Sequence, residues 1–247
     1  YKNDNIILEA YKIAKKLVGD LPLNLIDRPT DIKVDQNDND DDSTFSTYSQ
    51  SSIESYNAAL DKLQSGNYDV AAKELEDVIK QENYMLPAYY NLTVIKINFE
   101  QDYDGAIKIL DNIIKSQGYE QNPDIVYASL YFNRGLAKSY LEQEEDAIID
   151  FNEALKIDSE HASSYGSRGC SLMNINRNKD ALSDFDKAIL LGDKSFLNYA
   201  NRAKCKQSLS DFKGALEDYN IAYEIDPDND NISLQRNLLL AMNESGL

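Results

Sequence analysis

Apolar residues along this chain recur at intervals of three and four, the spacing of one face of an α-helix. Residues 5–18 show it first: Ile6, Ala10, Ile13 and Leu17 fall on one side, Asn3 and Asp4 are available as N-cap, and Gly19 and Pro22 end the run. Between Asp31 and Ser51 the pattern disappears into Asp, Asn, Ser and Thr. A stretch that poor in apolar surface cannot offset its ordering entropy, so a flexible acidic linker is expected there. From residue 52 onward the helical period returns and persists to residue 242, implying an all-α array.

Within that array one pattern is written three times. Tyr131-Phe132-Asn133-Arg134-Gly135, Tyr165-Gly166-Ser167-Arg168-Gly169 and Tyr199-Ala200-Asn201-Arg202-Ala203 are each followed by a second block centred on Ala147 and Phe151, Ala181 and Phe185, or Ala215 and Tyr219. Gly135, Gly169 and Ala203 are 34 apart, as are Ala147, Ala181 and Ala215. The same template run backwards finds two weaker units, 52–85 with Ala59, Tyr68, Ala71 and Leu75, and 87–120 with Tyr90, Tyr103, Ala106, Leu110 and Ile113. From Ala106 to Ala147 is 41 residues, seven more than the period, so a loop near 116–124, punctuated by Gly118 and Pro123, must absorb the excess. The strong units then occupy 128–161, 162–195 and 196–229. Beyond them 231–242 offers Leu234, Leu238 and Ala241 on one face and reads as a helix covering the last open surface, within a terminal segment 230–247.

Small residues at a fixed place in each block allow paired helices to approach to about 8–10 Å. The repeated Arg is instead followed 16 residues later by Asp150, Asp184 or Asp218. Each guanidinium is expected to pair with one of these carboxylates, within its repeat or from the one before.

A helix-turn-helix unit repeated every 34 residues is the mark of the tetratricopeptide repeat (TPR), and the chain resembles that family strongly. The resemblance implies a right-handed α-solenoid of about five repeats with a C-terminal capping helix, acting as a non-catalytic scaffold or adaptor. In such arrays the first helices line a concave groove that holds partner peptides or helices. Carried onto this chain, the groove residues are Asn91, Ile95 and Asn98; Phe132, Asn133, Leu136 and Tyr140; Ser167, Met173 and Asn174; and Asn201, Lys204 and Gln207. Amides there suit a peptide backbone, and Phe132 with Tyr140 could hold an anchor side chain. The carboxylate clamp by which one subfamily grips chaperone tails is not matched: its first Lys and Asn positions fall on Tyr56 and Leu60, Asn91 and Ile95, or Phe132 and Leu136.

Composition narrows the partners. A net charge of −18 argues against nucleic acid and anionic membranes, and its field would draw a basic protein or peptide. No apolar run approaches the ~18 residues of a membrane span. Cys170 and Cys205 occupy corresponding stretches of neighbouring repeats and are expected to be free thiols in a reducing, cytoplasmic setting; the start at Tyr1 leaves a removed targeting segment open. No cofactor or metal is expected: the sole histidine, His161, falls at a repeat junction where an exposed loop residue is anticipated, and Asp35–Asp40 lacks the turn glycine and has Ser46 where a calcium loop requires Glu. Two other arrangements fit the same residues. The N-terminal helix could occupy the groove, of its own or another copy in a homo-oligomer, or the array could be the auxiliary subunit of an enzyme or secretion complex.

Overall fold

The computed structural model describes residues 48–116 and 126–244; the expected N-terminal helix and the seven-residue excess lie outside the described residues. Those residues form eleven α-helices and no strand. They are α1 (Gln50–Gln64), α2 (Tyr68–Gln81), α3 (Leu86–Ile95), α4 (Tyr103–Ser116), α5 (Val126–Tyr140), α6 (Glu144–Ile157), α7 (Ala162–Asn174), α8 (Asn178–Leu190), α9 (Phe196–Ser208), α10 (Phe212–Ile225) and α11 (Asp230–Glu244). The fold is all-α and of the solenoid-repeat class. Two compact units divide it, one ending at Ala137 and the other beginning at Lys138.

In the first unit, helix formation begins earlier than the composition implies. Gln50 already opens α1, inside the stretch expected to be linker, because Ser49 caps it: its Oγ accepts from Ser52 N at 3.2 Å. Glu82 fixes the cap by accepting from Ser49 N at 3.1 Å, and Tyr48 stacks on Tyr84 with ring centroids 5.5 Å apart. Tyr56, Ala59, Leu60, Ala71, Leu75, Leu92 and Ile95 form the core beneath. A π-helical turn, Lys96–Glu100, ends the helix begun by α3.

In the second unit α7 packs on α8 and α9 on α10, with Phe185 and Tyr219 at 0% and 1% exposure between them. Gly169 explains the closeness: a Cβ there would come within 2.9 Å of Phe185 Cε1. Burial of one such ring stabilises by roughly 1.5–3 kcal/mol.

One backbone feature recurs with the repeat. Gly66, Gln101, Glu142, Asn176 and Ser210 all have positive φ, between 55° and 78°, one in each turn from a first helix to a second. Each residue reverses the chain as a left-handed helix terminator. Only Gly66 is the residue type that adopts this conformation freely.

The last helix corrects an expectation. α11 buries Ile232 and Leu239, at 4% and 2% exposure, against Tyr219 and Ala222, while Leu234 and Leu238 stand 56% and 51% exposed. Apolar residues occur around most of this helix, so the pattern alone offered two stripes, and the fit to α10 selects the other one.

Candidate functional site

α7 and α9 each carry two rows of polar side chains, one occupied internally and one not. The internal row is the arginine ladder. Arg168 donates from Nε and Nη2 to both oxygens of Asp184, at 2.7 Å each, and from Nη1 to Asn152 Oδ1 at 2.6 Å. Arg202 repeats this on Asp218, at 2.8 and 2.6 Å, with Nη1 on Asp186 at 2.8 Å. The fork-on-carboxylate geometry is that of a strong, directional pair.

The ladder goes further than the expected pairs. Asn152 and Asp186 lie 16 residues before their arginines, and Arg236 likewise donates Nε to Asn220 Oδ1 at 2.6 Å. Arg134 Nη1 reaches Asp111 at 2.8 Å, a partner 23 residues upstream, the increment being the seven inserted residues. Asn152, Asp186 and Asn220 recur at the 34-residue period, a signal present in the sequence but unread. Arg134, Arg168 and Arg202 also lie 5.4–5.5 Å from the ring centroids of Tyr131, Tyr165 and Tyr199; Arg236 uses Tyr223 at 5.0 Å. Asp150 is held by Lys138 at 2.7 Å, and Asp218 gains a second cation, Lys206, at 2.9 Å.

The residues expected to bind a partner divide by unit. In the first unit several turn inward. Asn91 and Ile95 are at 0% exposure, Asn91 donating to Tyr56 Oη at 2.8 Å, and Asn133, at 3%, donates to Thr93 Oγ1 at 3.1 Å. Burial raises the Tyr56 phenol pKa above its usual range. Phe132 is also buried, at 7%. These four serve the packing of adjoining helices, since short amides and apolar side chains at such places complete the contact with a neighbour rather than await a ligand. Asn98 stays exposed with Nδ2 on Val94 O, and Leu136 is half-buried against Ile97, Ala106 and Ala137.

In the second unit the corresponding residues are mostly less buried. Tyr140 is 39% exposed; Asn174 is exposed and donates to Glu144; Asn201 is nearly buried and donates to Cys170 Sγ at 3.3 Å. Ser167, Met173, Lys204 and Gln207 are half-buried on α7 and α9. Cys170 and Cys205 are free thiols against one apolar cluster with Leu172 and Phe185, and burial pushes them up to about 12 and about 11. His161 is not the exposed loop residue expected: it precedes α7, half-buried, with Nδ1 2.8 Å from Ser164 Oγ, and burial lowers its pKa.

The family model for the tetratricopeptide repeat matches residues 128–161, the first of the three strong units. That stretch of the chain is a tetratricopeptide repeat. No curated protein matches the chain. Among solved structures, this chain is similar to TTC0263, a thermophilic TPR protein in Thermus thermophilus, at 16% identity and TM-score 0.58 over 77% of this chain and 99% of that one. MamA 41-end from Desulfovibrio magneticus RS-1 gives 16% identity and TM-score 0.60 over 74% and 98%. YrrB, described as a TPR protein with an unusual peptide-binding site, gives 17% and 0.55 over 74% and 90%. At these identities the likeness bears on the fold.

No helix of the described residues is long and apolar enough to cross a membrane, and no cluster of three His, Cys, Asp or Glu among them could hold a metal.

Proposed function

We propose that this TPR protein is a non-catalytic scaffold that binds an extended peptide or helix of a partner protein on the first-helix face of residues 138–244. One observation carries the reading. Ser167, Lys204 and Gln207 are half-buried on α7 and α9 yet make no side-chain hydrogen bond or ion pair among the described residues. On the same two helices Arg168, Ser171, Arg202 and Lys206 are all bonded internally. Their polar atoms stay open to solvent and are committed to no internal partner, so they are free to meet donors and acceptors from outside. Asn201, whose Nδ2 is fixed on Cys170 Sγ, keeps its Oδ1 uncommitted as an acceptor for a backbone N–H. Tyr140 and Met173 supply the apolar contact. That the structurally similar YrrB carries a peptide-binding site supports this reading.

The net charge of −18 favours partners with basic flanks, whose association would slow as salt rises. Peptides selected from a random display library against the full chain test the proposal. Lys204→Glu with Gln207→Ala should weaken the selected peptides by about tenfold or more, about 1.4 kcal/mol per decade, without lowering the melting temperature. Unchanged affinity in that variant would sink it.

A further inference from the structure

The exposed face of α11 has a counterpart elsewhere in the chain. Asp230, Leu234, Leu238 and Ala241, spaced four, four and three apart, share one exposed side of the helix, opposite the buried Ile232 and Leu239. Lys2, Ile6, Ala10 and Ile13 repeat the same spacing with the opposite charge at the same end. Laid parallel at one constant offset, the two stripes set Lys2 against Asp230, Ile6 on Leu234, Ala10 on Leu238 and Ile13 on Ala241. Small residues then meet large ones in two of the three apolar layers, the arrangement that lets facing rows interdigitate.

We propose that residues 5–17 of this chain, with Lys2 just ahead of their N-cap, pack as a helix on the free face of α11, independently of the partner-binding face. Charge argues for this occupant. Residues 1–19 hold Lys2, Lys12, Lys15 and Lys16 against Asp4 and Glu9, a basic stretch in a chain of net charge −18. Asp226 and Asp228 stand beside Asp230 at the start of α11, and the basic stretch is attracted to them. A second copy would instead bring its own −18, which repels. Length allows the contact: the residues between 19 and 50 span up to ~100 Å when extended. Covering Leu234 and Leu238 also removes two large apolar side chains from water, the favourable direction for both.

The chain contains no tryptophan, so Ile13→Trp in the full-length protein places a sole reporter in the stripe. Its emission should be that of a buried indole, and Leu234→Glu with Leu238→Glu should shift it to the red and open it to acrylamide. Lys2→Asp should raise the quenching by up to about threefold, the scale of one exposed ion pair, and Asp230→Lys should reverse that rise. Circular dichroism checks that the helices persist, and Asp230→Lys alone gives a reading should the double glutamate variant lose them. Emission that ignores both the leucine and the charge variants overturns the proposal. So does burial that disappears on about a hundredfold dilution, which assigns the contact to a second copy.

Discussion

Arg202 closes on Asp218 through two parallel hydrogen bonds, 2.8 Å from Nε and 2.6 Å from Nη2, and the carboxylate it holds is only 2% exposed. Asp184, 5% exposed, is held in the same way by Arg168, but Asp218 has Lys206 as a second cation at 2.9 Å. Truncating one partner leaves the other charge buried, at a cost of about 3–5 kcal/mol when no substitute exists. Arg168→Gln should therefore lower the denaturant midpoint more than Arg202→Gln does. Equal shifts, measured by urea unfolding, would show that Lys206 does not share the load.

Tyr219 stands where the two preceding repeats have Phe151 and Phe185, and its buried hydroxyl has no hydrogen-bond partner among the described residues. Burial pushes its phenol up to about 12. Because an unpartnered buried hydroxyl is destabilising while an apolar replacement of the same shape is not, Tyr219→Phe should stabilise by about 1 kcal/mol. That corresponds to a rise of about 2–4 °C in melting temperature for a protein of this size. A fall would mean that the hydroxyl is bonded in solution.

The repeat and its small residues were legible because a 34-residue period places every Gly169, Ala181 and Phe185 in an equivalent environment. The Arg168–Asp184 and Arg202–Asp218 pairs were legible for the same reason. Asn91 and Asn133 were not. An amide suits a ligand and a neighbouring helix equally well, and only the positions of Tyr56 and Thr93 decide between them. Nor was the buried side of α11, where Leu234 and Leu239 are equal in hydrophobicity and the fit to Tyr219 and Ala222 chose Leu239.

Four of the five turns between paired helices place a side chain where glycine is favoured. Glu142, at φ 59°, is exposed, so its replacement removes no packing. Glu142→Gly should relieve the left-handed strain, about 1 kcal/mol, less whatever the more flexible unfolded chain gains. Gly66→Ala, at φ 78°, should destabilise by about the same amount. Thermal melts of the two variants should move in opposite directions. Movement in the same direction would show that unfolded-state entropy outweighs the turn geometry.

His161 provides a pH dependence whose sign follows from its burial. Its pKa in the fold is lowered below the ordinary value of 6.5, chiefly by desolvation, with the Asp158 charge opposing. The unfolded chain therefore binds a proton more readily than the folded one, and stability rises with pH across the interval between the two values. The contribution is fully present above about pH 6.5 and is lost as pH falls through the lower, folded pKa. His161→Gln keeps a polar group beside Ser164 Oγ without a titrating ring, so its stability should be flat over that interval while the parent protein weakens. Urea midpoints at about pH 7.5 and at successively lower values, compared between the two, read the difference directly. Parallel profiles would mean that His161 is protonated as easily in the fold as out of it.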